Sequence, residues 1–177
     1  DGAFARGVTA ITVHGRTVEQ RYEGASRWSF LREVKQHAGS RTVLGSGDLF
    51  TAQACLDMLA ETGVDGVTVA RGAIGNPWIF QRKDIHQVTL AEKTRLIYRH
   101  LELMLDFYGR ERGLVLFRKH VVKYVRGLAH IAAVKQELMT CSRPEQFVAL
   151  VRAYESQAAE RVEAGRPLEP AMLTPSS

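Results

Sequence analysis

The chain has 177 residues, of which 45% are apolar and 24% are charged, and its formal net charge is +5. This composition is typical of a globular protein with one sizeable domain or two small ones. It excludes a transmembrane helix, which needs an apolar run of about 20 residues, and the first residues have no signal-peptide pattern. We therefore expect a cytoplasmic protein without a membrane partner.

Cysteine content and charge distribution narrow the class of protein further. Cys55 and Cys141 lie far apart, each in a helix-like segment, which is typical of free thiols in a reducing compartment, and two cysteines are too few ligands for a metal site. Residues 1–88 hold ten Lys/Arg and nine Asp/Glu, whereas residues 89–165 hold thirteen and nine. The positive excess therefore lies in the second half, where it indicates a polyanionic partner.

The first half alternates short β-branched runs with amphipathic segments. Parallel strands joined by helical crossovers produce this pattern, so we expect an α/β fold. Ser26 and Thr51 are the predicted N-caps of the two helices, and Gly39 and Gly63 are the predicted stops. The predicted strands are 7–15, 42–47 and 65–72, and the predicted helices are 26–39 and 50–63.

Three parallel strands with helices on one side leave two open edges and an uncovered face, whereas parallel sheets are normally covered on both faces. We therefore expect residues 1–82 to be the later part of a larger α/β domain whose beginning is absent from this chain. A compact three-stranded domain is the alternative.

The second half is predicted to be all-helical. Asn76 and Pro77 begin a short helix as its N-cap and first-turn residue, and Thr89 with Glu92 forms a capping box at the start of a long one. Prolines near the chain end predict a disordered tail. The predicted helices are 89–109, 110–128, 131–140 and 143–165, which form a helical domain, 89–165, before the tail, 166–177.

Two successive predicted strands end in small residues, the second of them beside an arginine. The carboxyl ends of parallel strands lie at one edge of a sheet, and in (β/α)8 barrels loops at that edge frequently bind phosphate. Small residues let backbone N–H groups reach phosphate oxygens, and a guanidinium adds favourable charge. We predict an anion site formed by Ser46, Gly47, Asp48, Ala70 and Arg71; ordinary loop turns are the alternative.

His14 and Arg16 follow the first predicted strand and are expected at the same edge. A neutral imidazole could hydrogen-bond a polar ligand, and Arg16 could meet a phosphate or a carbonyl. A structural role for the histidine is the alternative.

The segment 110–126 carries six basic residues and one acidic residue. Three of the basic residues share a helix face by their i, i+4 and i+3 spacing, beside His120. With Tyr108 and Tyr124, which could stack on bases, this segment is a candidate RNA-binding surface; a solvated face and tyrosines packed in the helical core are the alternative. The basic residues are Arg110, Arg112, Arg118, Lys119, Lys123 and Arg126, of which the last three share the face.

Four stretches of the sequence resemble the tRNA-dihydrouridine synthases, which are FMN-dependent (β/α)8 enzymes with a helical C-terminal domain. They are ITVHGRT (11–17), GSGDLF (45–50), DGVTVARGAIGNPWIF (65–80) and FYG with RKHVVKY (107–124), in the family's order. The resemblance implies the C-terminal part of a TIM barrel, followed by an all-helical domain that binds tRNA.

The resemblance also implies roles for individual residues. It places FMN beside a histidine and at the two strand-end turns, with the phosphate at the second turn. Ser46 stands where the family usually has Asn, and Ala70 where it usually has Gly; both changes leave FMN binding as the expectation. The predicted cofactor contacts are His14, Ser46, Gly47, Asp48, Ala70 and Arg71, and the predicted tRNA contacts are Arg16, Arg118, Lys119, His120 and Lys123.

In the reaction that the resemblance implies, NADPH reduces FMN, a hydride passes from the flavin to C6 of a uridine in tRNA, and an acid protonates C5. The target base must leave the stack to react. The family's proton-donating Cys belongs to earlier strands, and neither Cys55 nor Cys141 has a matching context. We therefore assign no catalytic residue and expect the isolated chain to be inactive.

Two other functions fit these residues. One is a different FMN-dependent barrel oxidoreductase that acts on a small molecule, and the basic helical half argues against it. The other is a non-catalytic RNA-binding module whose strands are a remnant, which a flavin in the purified protein would exclude.

Overall fold

The computed structural model describes residues 1–21 and 23–164, so the predicted tail, 166–177, lies outside the described residues. The chain forms two compact units, Asp1–Asp84 and Ile85–Ser177. The first contains a small parallel sheet with its helices, and the described part of the second is helical. The α/β class predicted from the sequence is therefore confirmed, whereas the complete barrel and the helical bundle stay predictions.

The first unit begins with a short helix and continues with strands that alternate with helices. In chain order the elements are α1 Gly2–Ala5, β1 Ala10–His14, α2 Trp28–Ala38, β2 Thr42–Ser46, α3 Ala52–Thr62 and β3 Gly66–Val67. Two short 3-10 helices follow in this unit, at Arg71–Ala73 and Pro77–Gln81, and a third, Ile85–Gln87, begins the second unit.

The three strands are parallel and lie in the order β1-β2-β3. His14 pairs with Ser46 and Gly45 pairs with Val67, so the carboxyl ends of all three strands lie at one edge. The predicted third strand, 65–72, is too long. The observed strand is Gly66–Val67, and the last predicted strand residues belong to the 3-10 helix Arg71–Ala73.

The sheet buries one face against α2 and α3. Leu31, Val43 and Met58 have no exposed surface at all, and they form the core of the first unit. On β1 the burial alternates, so that Thr12 and His14 are exposed. This alternation leaves polar side chains of β1 free to meet a ligand or another part of a larger fold.

Local sequence signals set most helix ends as predicted. The Thr51 hydroxyl accepts a hydrogen bond from the Ala54 N–H at 3.0 Å, and Gly63 ends α3 with φ of 71°. Glycine adopts this left-handed conformation without the steric cost of a Cβ. Gly39 likewise follows the last residue of α2.

The predicted N-cap Ser26 is wrong, and the predicted N-cap Asn76 has the right position but no capping hydrogen bond. Helix α2 begins at Trp28 with Arg27 in the N-cap position. The Ser26 hydroxyl makes no capping hydrogen bond among the described residues, and the Ser26 N–H donates to a carboxylate oxygen of Asp48. Asn76 does precede the 3-10 helix, but its side-chain amide donates to the Lys83 carbonyl at 3.2 Å rather than capping the helix.

Four helices of the second unit share one hydrophobic core: α4 Leu90–Tyr108, α5 Arg110–Tyr124, α6 Ile131–Thr140 and α7 Pro144–Glu163. The predicted capping box of Thr89 and Glu92 is present. The fully buried side chains include Leu114, Phe117 and Phe147. No helix within the described residues is long and apolar enough to cross a membrane.

Helices α4 and α5 approach each other closely at Gly113. A Cβ atom at this position would lie 2.4 Å from the Met104 carbonyl oxygen and 2.9 Å from the Leu105 Cα. Because both obstacles are backbone atoms, a side chain at position 113 cannot be accommodated by a rotamer change. The glycine therefore fixes the geometry of the α4–α5 corner.

We expect Gly113→Ala to lower the free energy of unfolding by about 1–3 kcal/mol, the usual cost of overpacking a tight contact. Chemical denaturation of the helical unit, followed by circular dichroism, measures this change. Val115→Ala on the exposed side of the same helix is the control, and its effect should stay within about 0.5 kcal/mol. Equal stability of the Gly113→Ala variant and the native protein would contradict the proposed close contact.

Candidate functional site

The turns after β1, β2 and β3 meet at one edge of the sheet and line a shallow recess. Hydrogen bonds connect them: the Gly15 N–H donates to the Ser46 carbonyl at 3.0 Å, and the Ser46 hydroxyl donates to the Thr68 carbonyl at 3.2 Å. We call this edge the strand-end rim. It contains all six residues predicted to contact the cofactor, His14, Ser46, Gly47, Asp48, Ala70 and Arg71, whose binding role stays a prediction.

Asp48 is the centre of the hydrogen-bond network at the rim. Its carboxylate accepts two hydrogen bonds from Arg16, at 2.7 and 2.5 Å, and one from the Ser26 N–H at 2.9 Å. Arg71 forms a longer ion pair with the same carboxylate at 3.2 Å. Asp48 therefore links the turns that follow all three strands.

The charge of Asp48 is maintained by its partners. Burial acts to raise the pKa of this carboxyl, but hydrogen bonds from Arg16 and the Ser26 N–H, together with the charges of Arg16 and Arg71, outweigh burial and lower the pKa. Two guanidinium groups and one ionised carboxylate leave one net positive charge at the rim. The electrostatics thus favour an anionic ligand.

Arg16 is placed differently from the prediction that it contacts tRNA. Its side chain is only 5% exposed, and besides Asp48 it donates to the Gly24 carbonyl at 2.7 Å. The guanidinium therefore holds the β1 turn together from the inside, and the geometry favours a structural role for it.

His14 lies at the end of β1 with its ring exposed. Its Nδ1 atom accepts a hydrogen bond from the Arg16 N–H at 3.1 Å. Since Nδ1 is an acceptor, the neutral ring carries its proton on Nε2. That N–H can donate to a polar group of a ligand at the rim.

Two glycines of the rim pack directly against neighbouring turns. Gly47 has φ of 128°, and a Cβ there would lie 2.1 Å from Ser26 Oγ. At Gly72 a Cβ would lie 1.9 Å from the Leu49 carbonyl oxygen. Ser26 Oγ is itself buried and has no hydrogen-bond partner among the described residues. The glycines therefore hold the turns together, while the unsatisfied hydroxyl and the two arginines at Asp48 are chemically suited to an anionic group such as the phosphate of FMN.

Sequence reasoning missed two residues of this region. Ser26 was assigned as a cap because a serine before a helix usually has that role, and no local pattern shows its burial beside Gly47. Phe50 is 50% exposed, and the Arg71 guanidinium lies over its ring at 5.1 Å. The signal in the sequence was an aromatic residue three positions after Gly47.

The cysteines do not belong to the rim. Cys55 packs against the core of the first unit, and Cys141 is buried in the core of the second. Burial raises the pKa of both thiols. Among the residues that the structure describes, no three His, Cys, Asp or Glu side chains are grouped to hold a metal ion.

The second candidate site is the basic face, which we define as Lys119, Lys123 and Arg126. All three side chains are exposed, whereas Phe117 and Val121 on the opposite side of α5 are fully buried. The structure therefore places the cations of this face in solvent, where they can meet a polyanion.

Three other residues predicted near this face have different surroundings. Arg118 donates to the Cys141 carbonyl, and its Nε atom is buried without a partner among the described residues. The His120 ring lies 5.0 Å from the ring of His100, and burial followed by the charge of Lys119 lowers its pKa. Tyr124 is only 7% exposed, so it packs in the core and cannot stack on a base.

We expect Asp48→Asn to lower the free energy of unfolding by about 2 kcal/mol at neutral pH, because it removes the charge that accepts hydrogen bonds from three groups. The folded pKa of Asp48 lies below its unfolded value, which is about 3.9. Its contribution is therefore complete above that value and is lost as the pH falls through the folded pKa.

Urea denaturation at neutral pH and across this acidic range measures both effects. The Asp48→Asn variant should lose less stability on acidification than the native protein. Asp57→Asn on α3 is the matched control, because its carboxylate accepts a hydrogen bond from the Gln53 amide that an Asn oxygen can also accept, and it should change stability by less than about 0.5 kcal/mol. The same acid sensitivity in the Asp48→Asn variant and the native protein would contradict this role of Asp48.

Comparison with known proteins confirms the resemblance seen in the sequence. The family model described as dihydrouridine synthase matches residues 2–162. A probable tRNA-dihydrouridine synthase of Mycobacterium leprae (strain TN) is 36% identical over 133 residues, which cover 71% of this chain and 35% of that protein. The corresponding protein of Mycobacterium tuberculosis (strain ATCC 25618 / H37Rv) is 35% identical over 144 residues, 77% of this chain and 37% of the relative.

A further relative, tRNA-dihydrouridine synthase B of Pasteurella multocida (strain Pm70), is 32% identical over 153 residues, which cover 81% of this chain and 46% of the relative. The chain thus spans between about a third and a half of the length of these relatives. The matched region includes the strand-end rim and the basic face. On these grounds the chain belongs to the dihydrouridine synthase family.

Proposed function

We propose that this chain supplies the cofactor-phosphate rim and the RNA-binding helices of an FMN-dependent tRNA-dihydrouridine synthase. The reaction is the reduction of the C5–C6 bond of a uridine in tRNA, with NADPH as the reductant. The observation that carries the proposal is the convergence of three strand-end turns and two guanidinium groups around Asp48. Membership of the family supports the reaction class.

The residues of the rim have distinct roles in this proposal. When bound, FMN supplies the hydride, and the chain supplies binding and orientation. Arg71, whose side chain is 42% exposed, places positive charge at the phosphate, while Gly47 and Gly72 let the backbone approach it. His14 donates its Nε2–H to a polar group of the cofactor. Asp48 positions the rim through its hydrogen bonds.

The proton donor is not among the thiols of this chain. Cys55 and Cys141 pack in the two cores rather than at the rim, so neither thiol lies beside the proposed cofactor. We therefore propose that the chain binds cofactor and RNA but does not by itself form dihydrouridine.

The basic face supplies the RNA contacts. Lys119 and Lys123 are exposed and about one helical turn apart, so both can approach the phosphates of one strand. Phosphate neutralisation dominates the affinity of most nucleic-acid complexes and makes it dependent on salt. This surface therefore binds the phosphate backbone of the RNA, and contacts elsewhere select the uridine.

We expect Arg71→Gln to weaken FMN binding by roughly 10- to 100-fold, the scale of a lost charge-assisted hydrogen bond. Riboflavin, which has no phosphate, should bind the variant and the native chain equally. Quenching of flavin fluorescence measures both affinities. Arg82→Gln, an exposed charge outside the rim, is the control and should have no effect.

Equal losses of FMN and riboflavin affinity in the Arg71→Gln variant would mean that Arg71 does not contact the phosphate. If the native chain binds neither flavin, the cofactor proposal itself is wrong.

We expect the double variant Lys119→Glu, Lys123→Glu to bind tRNA at least tenfold more weakly at low salt. The slope of log affinity against log salt should become less steep by roughly 0.7–0.9 for each phosphate that the variant no longer neutralises. Fluorescence anisotropy with labelled tRNA measures both quantities. Lys135→Glu on α6, also exposed, is the control; an unchanged affinity in the double variant would reject the basic face as the RNA surface.

A further inference from the structure

Two adjacent aromatic side chains are exposed at the end of α4. Phe107 is 80% exposed and Tyr108 is 41% exposed. Their rings meet edge to face, with centroids 4.8 Å apart and an interplanar angle of 76°. Neither residue belongs to the hydrophobic core of the helical unit. The pair therefore presents aromatic surface to solvent outside that core.

The aromatic pair adjoins the basic face through Arg112. The guanidinium carbon of Arg112 lies 6.0 Å from the centre of the Tyr108 ring. Arg112, Lys119 and Lys123 are separated by seven and four residues, so they share one side of α5, and their side chains are exposed. At 1.5 Å per residue the row extends about 16 Å along the helix from Arg112 to Lys123.

The corner that carries the pair is held rigidly. Gly109 turns the chain with φ of 80°, and Gly113 lets α5 pack directly on the backbone of Met104. The aromatic rings are thus presented from the end of α4, beside the start of α5. A rigid presentation lowers the entropy cost of binding a ligand to these rings.

We propose that Phe107 and Tyr108 form a stacking site for an unpaired base of single-stranded RNA, whose phosphates follow the row from Arg112 to Lys123. The site rests on the proposed function, because it extends the RNA surface assigned there. Aromatic faces stack on any base, and cationic side chains beside them hold the backbone. Segment 110–126 has six basic residues against one acidic residue, which favours a polyanion over an apolar protein segment.

The test uses the whole 177-residue chain and two labelled probes, a short single-stranded oligouridine and an abasic oligonucleotide of the same length. The double variant Phe107→Leu, Tyr108→Leu keeps apolar volume but removes both aromatic faces. We expect it to bind oligouridine roughly 5- to 150-fold more weakly, while its affinity for the abasic probe and its salt dependence stay unchanged. Tyr108→Phe should retain binding, because it keeps the ring.

Controls separate this site from the rest of the RNA surface. Leu103→Ala removes another exposed apolar side chain of α4, which is 48% exposed, and should leave both affinities unchanged. The variant Lys119→Glu, Lys123→Glu should lower the affinity for both probes to a similar degree, because both probes contain the phosphates that these lysines contact.

Three results would overturn the stacking site. Equal affinity of the double leucine variant and the native chain for oligouridine would show that the rings do not contact bases. Equal losses for the oligouridine and abasic probes would show that the rings act without stacking. In both cases, salt-dependent binding of the probes by the native chain would still support the basic face as an RNA-binding surface. Failure of the native chain to bind either probe would reject the RNA surface as well.

Discussion

The carboxylate of Asp48 holds three separate turns in one arrangement. It belongs to the turn after β2, accepts hydrogen bonds from Arg16 after β1 and from the Ser26 N–H, and pairs with Arg71 after β3. Without this negative charge, two guanidinium groups at one edge would repel each other. The geometry of the rim, and hence its ability to present glycine backbone to a ligand, depends on this ion-pair network.

The two arginines of the network are not equivalent. The Arg16 side chain is 5% exposed and Arg71 is 42% exposed. A buried charge that loses its partner is far more costly than an exposed one, so Arg16 remains with Asp48 while Arg71 can adjust towards a phosphate. This division agrees with the proposed roles, in which Arg16 keeps the shape of the rim and Arg71 provides a cation for the phosphate.

The sequence predicted the backbone elements better than the side-chain partners. Alternation of strands and helices, the glycine turns and the Thr89 capping box depend on short-range patterns, and the structure confirms them. Arg16 and Arg118 were expected to face RNA, but their guanidinium groups bind acceptors 32 and 23 residues away in sequence. No local pattern specifies such a long-range partner. Helical spacing did place Lys119 and Lys123 on the solvent side of α5, because burial follows the helix period.

A crystal structure of the chain with FMN tests the phosphate-binding role of the rim most directly. We predict density for the phosphate at the strand-end rim, within hydrogen-bond distance of the backbone at Gly47 or Gly72 and of the Arg71 guanidinium, with the Arg16–Asp48 pair intact. A flavin whose phosphate lies away from these residues, or a rim in which Asp48 has separated from Arg16, would contradict this role.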